Sequence, residues 1–409
     1  MTDNGTQHGD VLVRHGVVAH IGTDLNFADA VTVDLNGKAL LPGLVDVHVH
    51  LRQPGFAYKE TIATGTKAAV AAGYTALCSM PNLNPMPDTL EHLRVETDII
   101  ACDARTKVYP YGCITRGEEG LELVDFVALQ PHVCAFSDDG RGVQTDNMML
   151  QAMQQVKRLD GLIAAHCEVN ALVHGGCIHD GYYAAEHGHK GICSESEWKQ
   201  VERDIALSAR TGCRYHVCHI STKESVELVR QAKRQGLKVT CETAPHYLLL
   251  CDEDLREDGR FKMNPPLRSC ADRNALLQGI IDGTIDVIAT DHAPHTAAEK
   301  NRGLEGSLFG IVGLETAFPL MYTYLVKKKI ITMQRLIELM CMAPRKIFRL
   351  DGGLRIGEAA DLTIMDLHAP HKIDSRQFHS MGKATPFDGW QVDTRCVMTM
   401  IDGKIAFQA

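Results

Sequence analysis

From about residue 40 to residue 345 the chain alternates short apolar, β-branched runs with amphipathic stretches, which narrows the fold to two architectures. The candidate strands are 44–48, 75–80, 107–113, 133–137, 162–166, 214–219, 238–243 and 286–290. Helical patterns at 61–72, 146–157, 197–211 and 223–235 lie between them. Eight strands joined by crossover helices spell either a (β/α)8 barrel or a doubly wound sheet. The polar residues choose between them. His48, His50, Asn82, Asp138, Asp139, His166, His219, His246 and Asp291 all fall at or just past strand C-termini. A barrel assembles its site from many strand ends at one face, whereas a doubly wound sheet concentrates chemistry at one switch point. No glycine-rich phosphate turn is visible, so the sequence predicts an α/β chain with a barrel.

The two ends of the chain read differently. Residues 10–21, 30–35, 361–366 and 396–407 look like short strands, with Asp402-Gly403 as a hairpin turn. They predict a small β-sandwich built from residues 1–40 and 350–409, flanking a barrel of residues 41–349. Residues 1–10 are polar and read as loose.

Composition bounds the function classes. With 45% hydrophobic and 23% charged residues the chain reads as an ordinary globular enzyme. A net charge of −9 without any basic block argues against a nucleic-acid binder. No apolar run approaches a membrane span. The 14 cysteines form no CxxC pair, and no secretory signal opens the chain, which predicts free thiols in a reducing cytoplasm.

The chemistry begins at Asp46-Val47-His48-Val49-His50-Leu51-Arg52. Side chains alternate along a strand, so His48 and His50 share a face and can hold one ion. Arg52 adds a cation on the same parity. Further ligand types stand in Ser137-Asp138-Asp139-Gly140, His166-Cys167-Glu168, His216-Val217-Cys218-His219 and Asp291-His292-Ala293-Pro294-His295. Each has a structural alternative: a lone strand-end histidine is usually a hydrogen-bonded core residue, and an aspartate there is commonly a helix cap. Their convergence on one mouth outweighs those alternatives. Four histidines and two carboxylates suffice for two divalent ions, and such ligands suit zinc, with manganese, cobalt or iron as options. Paired ions lower the pKa of water so that a nucleophile exists at neutral pH. Asp291 fits the carboxylate that would move the proton to a leaving nitrogen. The chemistry implied is hydrolysis of an amide-like bond, or its reversal.

This ordered set resembles the amidohydrolase superfamily. Within it, Pro42-Gly43-Leu44-Val45-Asp46-Val47-His48-Val49-His50-Leu51-Arg52-Gln53-Pro54-Gly55 closely resembles the signature of class I dihydroorotases. So do Met80-Pro81-Asn82-Leu83-Asn84-Pro85, Lys262-Met263-Asn264-Pro265-Pro266-Leu267-Arg268, the Asp291 segment and Phe309-Gly310-Ile311-Val312-Gly313-Leu314-Glu315-Thr316. The resemblance implies His48, His50 and Asp291 on a first zinc and His166 and His219 on a second. Many relatives bridge the ions with a carboxylated lysine. None stands at 133–139, so the resemblance puts Asp139 in that place, with Asp138 as the alternative. It further implies Arg52, Asn82 and His295 on the substrate carboxylate, and Asn264 with the backbone of Phe309 and Gly310 on the ring.

The resemblance therefore implies reversible cyclisation of N-carbamoyl-L-aspartate to L-dihydroorotate in pyrimidine synthesis. It also implies a small-molecule substrate, a homodimer, and association with aspartate transcarbamoylase as a further option. A planar guanidinium suits a carboxylate, so Arg52 favours this activity over allantoinase or hydantoinase chemistry. A non-catalytic scaffold is the remaining alternative, and metal content separates it. Three departures stand out: Gln53 replaces a usual Glu, Val169 a usual Asp, and the opening strand that relatives place before Asp10-Val11-Leu12-Val13 is missing. Residues 301–308 read as a gate.

Overall fold

The computed structural model describes residues 7–409. Of the stretch read as loose, residues 1–6 lie outside the described residues.

Two parallel sheets form the centre. One joins Leu44–Val49, Tyr74–Ser79 and Lys107–Pro110; the other joins Leu162–Ala165, Arg214–Val217, Val239–Thr243 and Val287–Ile288. Seven of the eight predicted runs are therefore strands, shorter than read at several ends. The eighth, 133–137, is reduced to a bridging segment. Its backbone still joins the two sheets, with Phe136 bridged in parallel to Gly112 on one side and to Ile163 on the other. On the far side, a parallel bridge between Val49 and His292 joins the sheets again, with His50 N–H donating to the His292 carbonyl at 2.8 Å.

Strand alternation splits the apolar residues between two faces. Leu162 and Ala164 pack with Val45, Val47, Ala76, Cys78 and Val287, whereas Ile163 and Ala165 pack outward toward the helices. Each fully buried Leu or Ile contributes about 1.5–3 kcal/mol. Helices alternate with these strands. Ile62–Ala72 starts on a Thr61 capping box and stops at Gly73, whose φ of +99° and contact with the Thr363 side chain leave no room for a Cβ. Thr145 and Thr222 cap Asp146–Arg158 and Lys223–Arg234 by accepting a backbone N–H, and Ser269 starts Cys270–Asp282 with a second capping box.

The chain ends form an antiparallel sheet in the order Lys404–Gln408, Arg395–Ile401, Leu362–Asp366, Ala39–Pro42. The N-terminal run at 10–21 is a hairpin of Asp10–Arg14 and Val17–Gly22. One expected strand is absent: residues 30–35 are irregular. Val31 is 92% and Val33 53% exposed, so these valines have neither a partner strand nor a core to cover. The expectation of free thiols also needs correction. Cys251 and Cys270 form a disulfide across a separation of 19 residues, while the other twelve cysteines are free. Among the described residues, no helix is long and apolar enough to cross a membrane.

Candidate active site

Because the central strands are parallel, their C-termini open toward one side, and the ligand-type residues stand there. His48 lies in Leu44–Val49, His50 just past it, His166 just past Leu162–Ala165, His219 past Arg214–Val217, and Asp291 past Val287–Ile288. Asp139 follows the bridging segment. All six side chains are buried.

Asp139 is at the centre. Its carboxylate oxygens lie 3.4 Å from His48 Nε2, 3.6 Å from His50 Nε2, 3.9 Å from His166 Nδ1 and 3.8 Å from His219 Nε2. Asp291 Oδ1 faces His50 Nε2 at 3.1 Å and His48 Nε2 at 3.7 Å. The ligand atoms form two triads sharing His48: His48, His50 and Asp291, and His48, Asp139 and His219. The atoms of each triad lie within 4.8 Å of one another.

The outer atoms of these rings fix their tautomers. His48 Nδ1 donates to Glu242 Oε1 at 2.7 Å, and His50 Nδ1 donates to Asn82 Oδ1 at 2.9 Å. A neutral imidazole so bound presents its Nε2 lone pair inward, toward carboxylate oxygens that are also acceptors. Such acceptor pairs need a shared cation or proton. His48 Nε2, Asp139 Oδ1, His166 Nε2 and His219 Nδ1 are buried without a hydrogen-bond partner among the described residues. Hard–borderline N and O donors left orphaned in this way fit divalent metal.

The charges are strongly perturbed. Burial works against the Asp139 carboxylate, but His48, His219 and His50 outweigh it and hold it well below its ordinary value. Burial also works against a charged His48, and Asp139 with Glu242 overcomes that to raise it. Burial and Arg52 lower His50. Burial brings Arg52 down to about 10, against the pull of Asp291 and Asp139. Three of these residues, Arg52 (φ +62°), His219 (φ +31°) and Asp291 (φ +48°), hold a left-handed backbone, a strain of about 1–3 kcal/mol each that concentrates at functional sites.

A cavity of about 280 Å³ adjoins the cluster, with Arg52, Phe56, Lys59, Asn82, Glu118, Asp139 and Arg141 on its walls. Arg52 donates through Nε to the Pro294 carbonyl at 3.2 Å and lies 3.4 Å from His295 Nε2. His295 is brought down to about 3 by burial and by Arg52, Lys59 and Lys300, so its ring is neutral at pH 7. Its Nε2 donates to the Phe309 carbonyl at 2.8 Å and its Nδ1 accepts from Lys59 at 3.2 Å. Gly310 has φ +136°, and a Cβ there would lie 2.7 Å from the Ala293 carbonyl oxygen. Asn264 donates to Glu168 Oε1 at 2.9 Å and leaves its own buried Oδ1 without a partner among the described residues. Asn82, read as a substrate residue, spends both ends on the cluster, holding His50 and donating to Asp139 at 3.2 Å. His246, in Pro245–Leu249, is in none of the ligand triads, although its charge couples to Asp291 and His219; burial brings it down to about 3, and its Nε2 is buried without a hydrogen-bond partner among the described residues.

Sequence reasoning missed Glu242, Lys59 and Glu118. Glu242 alternates in step with a strand end, as His48 does, and that parity was the available signal. Its buried carboxylate joins His48 to His216 Nε2 at 3.2 Å.

Known proteins resemble the chain along its length. A family model described as Dihydro-orotase-like matches residues 37–225. Proteins named dihydroorotase from Bacillus cytotoxicus and Bacillus cereus are each 50% identical over 402 residues, covering 98% of this chain and 94% of theirs. Among solved structures, the L-hydantoinase (dihydropyrimidinase) of Arthrobacter aurescens superposes with a TM-score of 0.88 at 28% identity, covering 99% of this chain and 93% of that one.

Proposed function

The chain belongs to the dihydroorotase family, and from that premise we propose that it interconverts L-dihydroorotate and N-carbamoyl-L-aspartate at the Asp139-centred cluster, within pyrimidine synthesis. It is a hydrolase of cyclic amide bonds and depends on metal. The observation that carries the substrate is the cavity whose wall holds both Arg52 and Asp139, the carboxylate that four histidines surround.

We assign His48, His50 and Asp291 to one zinc ion, His166 and His219 to a second, and Asp139 to the bridge between them. Bound there, divalent ions supply Lewis acidity toward water and the ring carbonyl. Arg52 anchors the substrate carboxylate by charge-assisted hydrogen bonds, with His295 beside it on the same carboxylate. Asp291 takes the proton of the attacking water as its oxygen bonds to the carbonyl carbon, and delivers it to the ring nitrogen as the C–N bond breaks. Asn82 holds His50 and Asp139 while facing the same cavity; Asn264 and the Phe309-Gly310 backbone read the ring.

The circuit of parallel strands, together with the likeness to the hydantoinase, supports a (β/α)8 barrel at residues 41–349. The terminal strands support a β-sandwich from residues 1–40 and 350–409, although Ala39–Pro42 straddles that boundary. Family membership supports a homodimer, an association with aspartate transcarbamoylase and a cytoplasmic setting. The likeness in structure favours a second reading, hydantoinase or dihydropyrimidinase chemistry. Metal-replete protein assayed with dihydroorotate, hydantoin and allantoin separates them. Turnover of either of the last two without dihydroorotate turnover would overturn the proposal.

A further inference from the structure

Glu118 stands on the wall of the Arg52 cavity and has no role in the chemistry proposed for the cluster. It follows Gly117 in a short turn, and both residues take the left-handed backbone, at φ +53° and φ +57°. A residue with a Cβ holds that conformation only where its surroundings enforce it. Here they do. Gly117 N–H donates to Asp88 Oδ2 at 3.0 Å, Glu118 N–H to the Thr115 carbonyl at 3.1 Å, and Gly120 N–H to Thr115 Oγ1 at 3.0 Å. Asp138 fastens the start of the turn by accepting from the backbone of Ile114 and Thr115 at 2.7 and 3.0 Å.

The side chain so aimed is 3% exposed, and its Oε1 has no hydrogen-bond partner among the described residues. Buried carboxyl oxygens are almost always paired, so an unpaired one on a cavity wall fits a partner that the chain does not supply. The charged groups facing it are Asp138, Asp139, Arg141 and Asp88. Burial first, and then the neighbouring aspartates, push Glu118 up to about 9, which leaves it a neutral acid with an O–H to donate. A neutral acid does not repel an anionic ligand as a carboxylate would.

We infer that Glu118 is a specificity-determining residue whose carboxyl group hydrogen-bonds the substrate carboxylate in the cavity it shares with Arg52. The inference rests on the dihydroorotase reading, and the test keeps the two apart. Wild-type enzyme is assayed first; failure to turn over dihydroorotate defeats the reading itself. With turnover established, Glu118→Ala raises the dihydroorotate KM about tenfold, the loss of one hydrogen bond to a charged group, while kcat falls less than about threefold. Glu118→Gln, a neutral donor, brings KM back to within about threefold of wild type. Zinc content per subunit stays at the wild-type level in both. An unchanged KM in Glu118→Ala overturns the inference, as does a loss confined to kcat or a loss of zinc. Where the alanine variant does not fold, Glu118→Met, of similar volume and without a hydrogen-bonding group, takes its place, and an unchanged KM in it overturns the inference.

Discussion

Asp138 and Asp139 are neighbours in the chain and turn their carboxylates to opposite sides. Asp139 lies within 3.4–3.9 Å of four imidazole rings. Asp138 faces away and accepts from the Ile114 and Thr115 backbone and the Thr115 hydroxyl. Asp138 ends the bridging segment and Asp139 opens the turn that follows it, closed by Gly142 N–H on the Asp138 carbonyl at 2.9 Å, so the pair supplies one anchor for the next loop and one site carboxylate.

The two aspartates therefore fail differently when removed. Asp139→Ala loses metal, read as zinc per subunit after dialysis, and retains most of its thermal stability. Asp138→Ala keeps metal and loses about 2–4 kcal/mol, because buried donors are left unpaired. Urea unfolding with metal analysis checks both, and the reverse pattern would exchange their roles.

Arg52→Met tests the substrate carboxylate. Removing a charge-assisted hydrogen bond worth about 1.5–3 kcal/mol raises KM by about 10- to 100-fold. The effect on kcat is smaller, since Asp291 and the cluster remain. Steady-state kinetics in both directions measures it, and unchanged KM would remove Arg52 from the carboxylate site.

How far the sequence leads depends on what a residue's type reveals. His48, His50, His166, His219 and Asp291 are legible because imidazoles and a carboxylate repeated at successive strand ends converge on one mouth. Their supports are not. Glu242 offers only its strand-end parity and Lys59 no local signal, and both act through contacts with residues 194 and 236 positions away. The strand runs are legible as apolar stretches, yet 30–35 carries the same β-branched composition without a partner to pair with. The Cys251–Cys270 bond escapes because it depends on how the loop between the two residues folds back, not on their spacing. Asn82 reads as a substrate residue, and the structure adds that it holds two members of the cluster.

His189 makes the segment around residues 301–308 sensitive to pH. Its Nε2 donates to Glu257 at 2.7 Å and its Nδ1 to Glu305 at 3.1 Å, so the doubly bonded ring is the imidazolium. The hydrogen bond to Glu257 leads in raising its pKa above the ordinary 6.5. A raised histidine contributes its stabilisation fully below 6.5 and loses it as pH rises through the folded value. Amide protection at residues 303–308, taken relative to the intrinsic exchange rate at each pH, therefore falls across that window. His189→Gln shows low protection at every pH; a variant retaining the wild-type profile would show that His189 does not hold this segment.

Glu60 ties the far end of the chain to the strand end that carries Asp291. Its buried carboxylate accepts from the Ser380 and Thr64 hydroxyls and from Met381 N–H at 3.2 Å, and it faces His292 Nε2 at 3.6 Å. His292 in turn accepts from Gly313 N–H through Nδ1 at 3.2 Å and from His50 N–H through its carbonyl at 2.8 Å. Burial raises the Glu60 pKa, but His292, Ser380 and Thr64 outweigh it and lower it below the ordinary 4.5. A lowered carboxylate contributes stability that is present above 4.5 and lost as pH falls through the folded value. Glu60→Ala costs about 3–5 kcal/mol, the penalty for breaking a buried charged network, and reduces turnover because Asp291 loses its backing. Glu60→Gln keeps hydrogen-bonding capacity at the same place, loses less, and removes this part of the acid dependence. Urea unfolding of the three proteins from about pH 7 to about pH 3 measures the difference. Equal acid sensitivity in wild type and Glu60→Gln would show that Glu60 is not the group that titrates.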